Sequence, residues 1–184
     1  AFEEIYLHKH EFLKTVEKFN KKKSFELMIN KESMDIFYSS LPFSLTSGQI
    51  SAINKISNSI KDKRPSKVLI QGDVGCGKTI VAIIACYQAL KNNHQCLVLV
   101  PTEVLCSQHF KTFTEYLCNY GMVEMISGKN TKAEKESIKS KLYDGQISVL
   151  IGTHALLFDD YKFRSLAIVI IDEQHKFGIK QREK

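Results

Sequence analysis

Gly72, Gly77, Lys78 and Thr79 stand in the spacing G-x-x-x-x-G-K-S/T, and Asp172 and Glu173 stand side by side after the apolar run Leu166–Ile171. The first set suits phosphate binding. With little side chain in the way, successive backbone N–H groups of Gly72, Asp73, Val74, Gly75, Cys76 and Gly77 can converge on nucleotide phosphates, aided by the positive end of a following helix. Lys78 would reach the β- and γ-phosphates, and the Thr79 hydroxyl would sit on Mg²⁺. In the second set, Asp172 would hold Mg²⁺, usually through water, and Glu173 would polarise an attacking water. Each set alone also has a plain reading, a glycine-rich turn and the polar end of a strand. Together they point to phosphoryl transfer.

These groups must be positioned by the elements around them. Lys67–Gln71 is short, apolar and β-branched, and predicts a buried strand leading into the loop; Ile80–Ala85 opens a helix running to about Lys91. The chain then alternates. Strands are expected at Cys96–Val100, about Val123–Ile126, Ile147–Ile151 and Leu166–Ile171, with helices from Glu103 towards Leu117 and from about Lys132 to Tyr143. Thr102 is placed to cap the first of these helices. Five largely apolar strands separated by helices imply an α/β fold, a parallel sheet covered on both faces. Ligands gather beyond the carboxyl ends of such strands, which puts Gly72–Thr79, Thr102, Ser127–Gly128, Thr153 and Asp172–Glu173 along one edge.

The amino-terminal part reads differently. Phe2, Ile5, Tyr6, Phe12, Leu13, Val16 and Phe19 fall roughly at helical spacing, predicting an amphipathic helix from Phe2 to about Asn20 that ends in Lys21-Lys22-Lys23. That cluster reads as a solvated helix end complementing the dipole, or as a contact to DNA phosphate. A short helix is expected from about Lys31 to Ser39. After Leu41-Pro42 another runs from about Ser47 to Lys61, capped by Ser47 or Thr46, with Gln49 in its first turn.

Composition bounds the classes. The chain has 184 residues, 43% hydrophobic and 25% charged, which is ordinary for a globular domain with one core. No apolar run approaches the roughly 18 residues a membrane helix needs, and no signal peptide is visible, so no membrane partner is expected. Five cysteines without a C-x-x-C pair suggest reduced thiols in a cytoplasmic protein rather than a metal or redox centre. The net charge of +6 permits a polyanionic partner, although a lysine- and asparagine-rich composition bias would give the same figure. The chain begins at Ala1 without methionine and stops at Gln181-Arg182-Glu183-Lys184, so a fragment of a larger protein is expected.

The run Asp172-Glu173-Gln174-His175 resembles motif II of superfamily-two helicases and translocases. Pro101-Thr102-Glu103-Val104-Leu105 with Gln108-His109 looks like motif Ia of that group, and Ser127-Gly128 and Gly152-Thr153-His154-Ala155-Leu156 look like its further strand-end motifs. Together with Leu41 to Gln49 and Asp172 to Arg182, these segments resemble the RecG family of bacterial branched-DNA helicases from about Leu41 to the end. Residues 1–40 then form a helical lead-in, and 41–184 the first RecA-like, P-loop NTPase lobe, truncated after motif II. The departures from the usual RecG pattern are Cys76, Cys106, Ser127 and Lys176; a lysine at 176 puts any bidentate role of an arginine there in doubt.

The resemblance implies ATP and Mg²⁺ as cofactors and branched DNA, forks and Holliday junctions, as partner, in recombination and repair. Gln49 would read the adenine edge, with Thr46 and Phe43 placing the base. Lys78, Asp172 and Glu173 would form the hydrolytic centre, with Thr79 and Asp172 at the metal. Thr102, Gly128 and Thr153 would contact DNA phosphates, and Gln174 and His175 would couple nucleotide state to a second lobe. His109 and His154 read as structural hydrogen-bonders. In the family a second RecA-like lobe supplies an arginine finger worth about 10³ to 10⁵ in rate, and a wedge domain recognises the junction. Neither is in this chain, so it is expected to turn ATP over negligibly by itself. Two alternatives stay open: an Mfd-like transcription-repair coupling translocase, which usually lacks the Gln-His and His-Ala-Leu forms, and a non-catalytic nucleotide-dependent DNA-binding module.

Overall fold

Four of the five described helices start at a side chain that accepts from a first-turn N–H group. A computed structural model describes residues 24–73, 75–153, 155–156 and 160–173. Its elements are α1 (Lys31–Ser39), α2 (Ser47–Ser59), α3 (Lys78–Leu90), β1 (Gln95–Val100), α4 (Glu103–Leu117), β2 (Met122–Ile126), α5 (Lys132–Tyr143), β3 (Ile147–Thr153) and β4 (Leu166–Ile171). Asn30, Thr46, Thr102 and Thr131 cap α1, α2, α4 and α5 through their side-chain oxygens. The helix expected over Phe2 to Asn20 lies outside the described residues, as do Val74, His154, Gln174, His175 and Lys176.

The chain divides between Cys76 and Gly77 into two compact units. In the first, Leu27, Met34, Phe37, Leu41, Ile53 and Ile56 are buried. The segment before α1 is tied to the residues after α2 by the Ser24 N–H donating to Lys63 O at 2.8 Å and the Leu27 N–H donating to Ile60 O at 3.1 Å. The strand expected at Lys67–Gln71 is absent: this segment has no strand structure, and Leu69 is 64% exposed. β-propensity supplies no partner by itself. A strand exists only where a neighbouring ladder takes its backbone groups, and the described sheet has four strands rather than five.

The second unit holds that sheet, in the order β2-β3-β1-β4, with all pairs parallel. Leu97 and Leu99 of β1 pack in one cluster with Ile138 and Leu142 of α5, Leu150 of β3 and Ile126 of β2. The alternate residue Cys96 turns to the other face, where its thiol approaches the Cys86 carbonyl of α3. Helices therefore cover both faces. α3 is apolar on every side, and ten of its thirteen residues, Ile80, Val81 and Ile83–Leu90, are buried, as a helix of that composition requires. All six residues of β1 are buried. β4 carries an equally apolar run, but as an edge strand it is only partly covered, and Val169 is 50% exposed.

Because every described strand runs the same way, their carboxyl ends share one edge. Register places them side by side, with Val100 opposite Thr153, Gly152 opposite Ile126 and Leu99 opposite Ile171. Gly152 sits where a Cβ would meet the Leu156 side chain and come within 2.9 Å of Ile126 Cγ2, so β3 passes closely under its neighbours at this edge. All five cysteines are free.

Candidate active site

α3 begins without a side-chain cap. Gly77, its N-cap, has φ +80 and ψ 32, the left-handed conformation that favours glycine, and no acidic residue stands in the first turn. The positive end of its dipole is thus not offset by a side chain, while the Ile80 N–H turns back to Gly77 O at 3.2 Å. Lys78 and Thr79, both partly buried, open this helix. In the first unit, Gly75 is also left-handed at φ +81. The Cys76 N–H turns back to Asp73 O at 3.3 Å, and a Cβ on Gly72 would lie 2.7 Å from Cys76 Sγ. A side chain at 72 would therefore require the exposed Cys76 thiol to move.

At the end of β4 the Asp172 N–H donates to Leu99 O at 2.9 Å, carrying the ladder one residue past the strand. Both carboxylate oxygens are held. His109 Nε2 lies 2.9 Å from Oδ2, and the Glu173 N–H donates to Oδ1 at 3.0 Å. The His109 hydrogen bond is the chief reason that the Asp172 carboxyl is held below its usual range against the opposing pull of burial; the charge on His109, the Glu173 N–H and the Lys78 charge add to it. Lys78 and Asp172 therefore act on each other within one unit. Glu173 adopts φ +49, a costly backbone for a residue with a side chain.

The residues expected along a DNA track lie at neighbouring strand ends. Thr153 closes β3. Thr102 follows β1, and its Oγ1 accepts from the Leu105 N–H at 3.3 Å as the cap of α4. The exposed Gly128 follows β2, and its N–H already donates to Glu103 Oε1 at 2.8 Å. Neighbouring strands are about 4.8 Å apart, so these three ends make a short row beside Asp172.

In the first unit Thr46 and Gln49 form a reciprocal capping box, with Thr46 N–H to Gln49 Oε1 at 2.9 Å and Gln49 N–H to Thr46 Oγ1 at 3.2 Å. Gln49 Nε2 also donates to Cys76 O at 3.2 Å, tying the α2 start to the loop. One N–H and one lone pair of the amide remain for a base edge. Phe43 is 45% exposed.

Sequence reasoning gave His109 a structural hydrogen bond without a partner. The partner is Asp172, 63 residues away, and no local pattern encodes that pairing. The Glu103–Gly128 bond was missed for the same reason. Among the described residues no group of three or more His, Cys, Asp or Glu could hold a metal. Thr79 and Asp172 instead offer one hydroxyl and one carboxylate, the sparse oxygen set that suits Mg²⁺, which keeps waters and leans on substrate phosphates.

A parallel α/β sheet with a paired carboxylate at one strand end, and a lysine-bearing helix start acting on it, defines a RecA-like P-loop lobe. The chain belongs to the DEAD/DEAH box helicase family, whose model matches residues 46–184. It is 41% identical over its full length to the ATP-dependent DNA helicase RecG of Thermotoga maritima, and spans 24% of that protein. It is 38% identical over 89% of its length to the transcription-repair-coupling factor of Escherichia coli, spanning 14% of it. Among solved structures, RecG bound to a three-way DNA junction matches 97% of this chain at 39% identity with a TM-score of 0.85; the match spans 25% of that chain. The chain thus spans about a quarter of the length of the RecG relatives it matches.

Proposed function

We propose that residues 41–184 are the ATP-binding motor lobe of an ATP-dependent DNA helicase of RecG type, which remodels branched DNA such as forks and Holliday junctions in the cytoplasm. Residues 1–40 lead into it. The observation that carries this reading is the Asp172 carboxylate, held on both oxygens by His109 and the Glu173 N–H at the end of β4, with the Lys78 charge at the start of α3 adding to its low range. The loop N–H groups and Lys78 bind phosphates, and Thr79 and Asp172 hold Mg²⁺, which would neutralise charge on the phosphates. Glu173 takes the proton of the attacking water. Gln49, Thr46 and Phe43 place the adenine. Thr102, Gly128 and Thr153 hold DNA phosphates, positioning the strand without reading its sequence. Gln174 and His175 couple this lobe to a second RecA-like lobe, and a wedge domain engages the junction.

Among the described residues no helix is long and apolar enough to cross a membrane. Identity extending over the whole chain, with Gln108-His109 and Ala155-Leu156 in place, supports the RecG type over the coupling-factor type. Glu173 beside Asp172 supports a hydrolase over a nucleotide-dependent binding module, because a switch has no need to activate water. The test is calorimetric binding of MgADP to the chain and to Lys78→Ala. Binding weakened by the substitution is expected; equal binding by both would overturn the assignment of the loop. In the longer protein, Glu173→Gln is expected to bind ATP and lose hydrolysis.

A further inference from the structure

His109 lies in the middle of α4, away from the phosphate loop in sequence, yet it touches the carboxylate on which the metal site depends. Its side chain is only 9% exposed, against 32% for Asp172. Nε2 sits 2.9 Å from Asp172 Oδ2, while Nδ1 is buried with no hydrogen-bond partner. A carboxylate oxygen accepts, so the bond needs its proton on Nε2. An apolar side chain would fill the same space without stranding a buried polar nitrogen, which costs free energy. The imidazole accepts that cost and places one donor on Asp172. Phe113, one turn further along α4, meets the ring edge to face at 5.8 Å between centroids and 62° between planes, which holds the orientation of the ring.

From this we infer that His109 is a positioning residue for Asp172: together with the Glu173 N–H it clamps the carboxylate plane, leaving one lone pair on each oxygen aimed for metal-bound water. The inference rests on the nucleotide-binding reading of the same site. Donors on both oxygens stop the carboxylate from rotating, and a fixed carboxylate loses less freedom when the metal arrives. Thr102, which caps the same helix, fixes the start of the element that carries His109.

The test compares the chain with His109→Ala and His109→Gln, each first shown folded by circular dichroism and thermal melting. Calorimetry then measures ADP binding with Mg²⁺ and with excess chelator. The alanine variant is expected to weaken the Mg²⁺-dependent binding roughly tenfold, as for lost partners of metal-ligating groups, and to leave metal-free ADP binding unchanged. The glutamine variant, whose Nε2 can occupy a similar position, is expected to recover most of the loss. Nitrogen correlation NMR of wild type is expected to show the His109 proton on Nε2 and to lose that signature in Asp172→Ala. Unchanged MgADP binding by a folded His109→Ala chain overturns this inference alone, as does equal weakening with and without metal. A wild-type chain that binds no nucleotide overturns the functional reading and this inference with it.

Discussion

Glu103 Oε1 accepts a 2.8 Å hydrogen bond from the Gly128 N–H, so a carboxylate occupies the donor that the family resemblance would give to a DNA phosphate. A Cβ at 128 would lie 2.9 Å from that same oxygen, which makes glycine the residue that allows the approach. Glu103 is the first residue of α4, directly after Thr102. An anion here competes with phosphate. Glu103→Gln keeps an acceptor for the N–H and removes the charge, and duplex DNA binding is expected to tighten about fivefold at low salt, the scale of two unit charges 4 Å apart in water. The gain should shrink as ionic strength rises. Fluorescence anisotropy at two salt concentrations measures it, and weaker binding by the variant would mean that the carboxylate organises the loop rather than guarding it.

At the opposite end of the sheet, Gln95 is 4% exposed and satisfies three backbone groups at once. Its Nε2 donates to Leu142 O at 2.9 Å and Ile147 O at 2.7 Å, and its Oε1 accepts from the Ser165 N–H at 2.9 Å. It thereby joins the end of α5, the start of β3 and the approach to β4. Gln95→Leu is similar in volume but removes the amide partner of Ile147 O and of the Ser165 N–H, while Leu142 O keeps the Gly145 N–H at 3.1 Å. A loss of about 2–5 kcal/mol is expected, from buried groups costing roughly 1–3 kcal/mol each with partial relaxation. Urea unfolding tests this, and a loss below 1 kcal/mol would show that the freed groups find other partners.

What could be read from the sequence follows the range of the interaction. Thr46 and Gln49 are three residues apart, and their capping box is visible as a local pattern. Asp172 falls at a strand end because the apolar run before it stops there. The same logic failed at Lys67–Gln71, where the composition of a strand is present but its ladder is not. Gln95 was passed over because the expected strand began at Cys96, and a polar residue at a strand start gives no sign of what it will bond. His109, Glu103 and Gln95 all act on partners 25 or more residues away. Their importance arises only when the parallel order of the sheet brings α4 and the strand ends together.

The cysteines give a direct probe of burial. Cys76 and Cys118 are exposed, while Cys86, Cys96 and Cys106 are buried. Burial, with the Glu103 carboxylate adding to it, pushes the Cys106 thiol up to about 11, and burial raises Cys96 well above the ordinary thiol range. The thiolate is the reacting species. Maleimide labelling at neutral pH followed by mass spectrometry is therefore expected to modify Cys76 and Cys118 quickly and the other three only on unfolding. Because Cys76 lies in the phosphate loop, MgADP should slow its labelling and leave Cys118 unaffected. Fast labelling of Cys106 in the folded chain would contradict the burial of α4 against β2.

Glu134 carries a pH dependence whose sign can be worked out. The Thr131 N–H donates to Glu134 Oε2 at 2.8 Å, Asn130 Nδ2 approaches the same oxygen at 3.4 Å, and the Glu134 N–H returns to Thr131 Oγ1 at 3.2 Å. The Thr131 backbone bond first, then the Asn130 and Thr131 side chains, hold the carboxyl below its ordinary 4.5. A depressed folded-state value favours the ionised form in the native protein. Its contribution is therefore fully present above about 4.5, the unfolded value, and is lost as pH falls through the lower folded one. Carboxyl carbon NMR should show Glu134 titrating below the other exposed glutamates, with the first turn of α5 loosening as it protonates. Glu134→Gln keeps an acceptor at this position and is expected to remove that acid-side transition of α5. Persistence of the transition in the variant would assign it to another group.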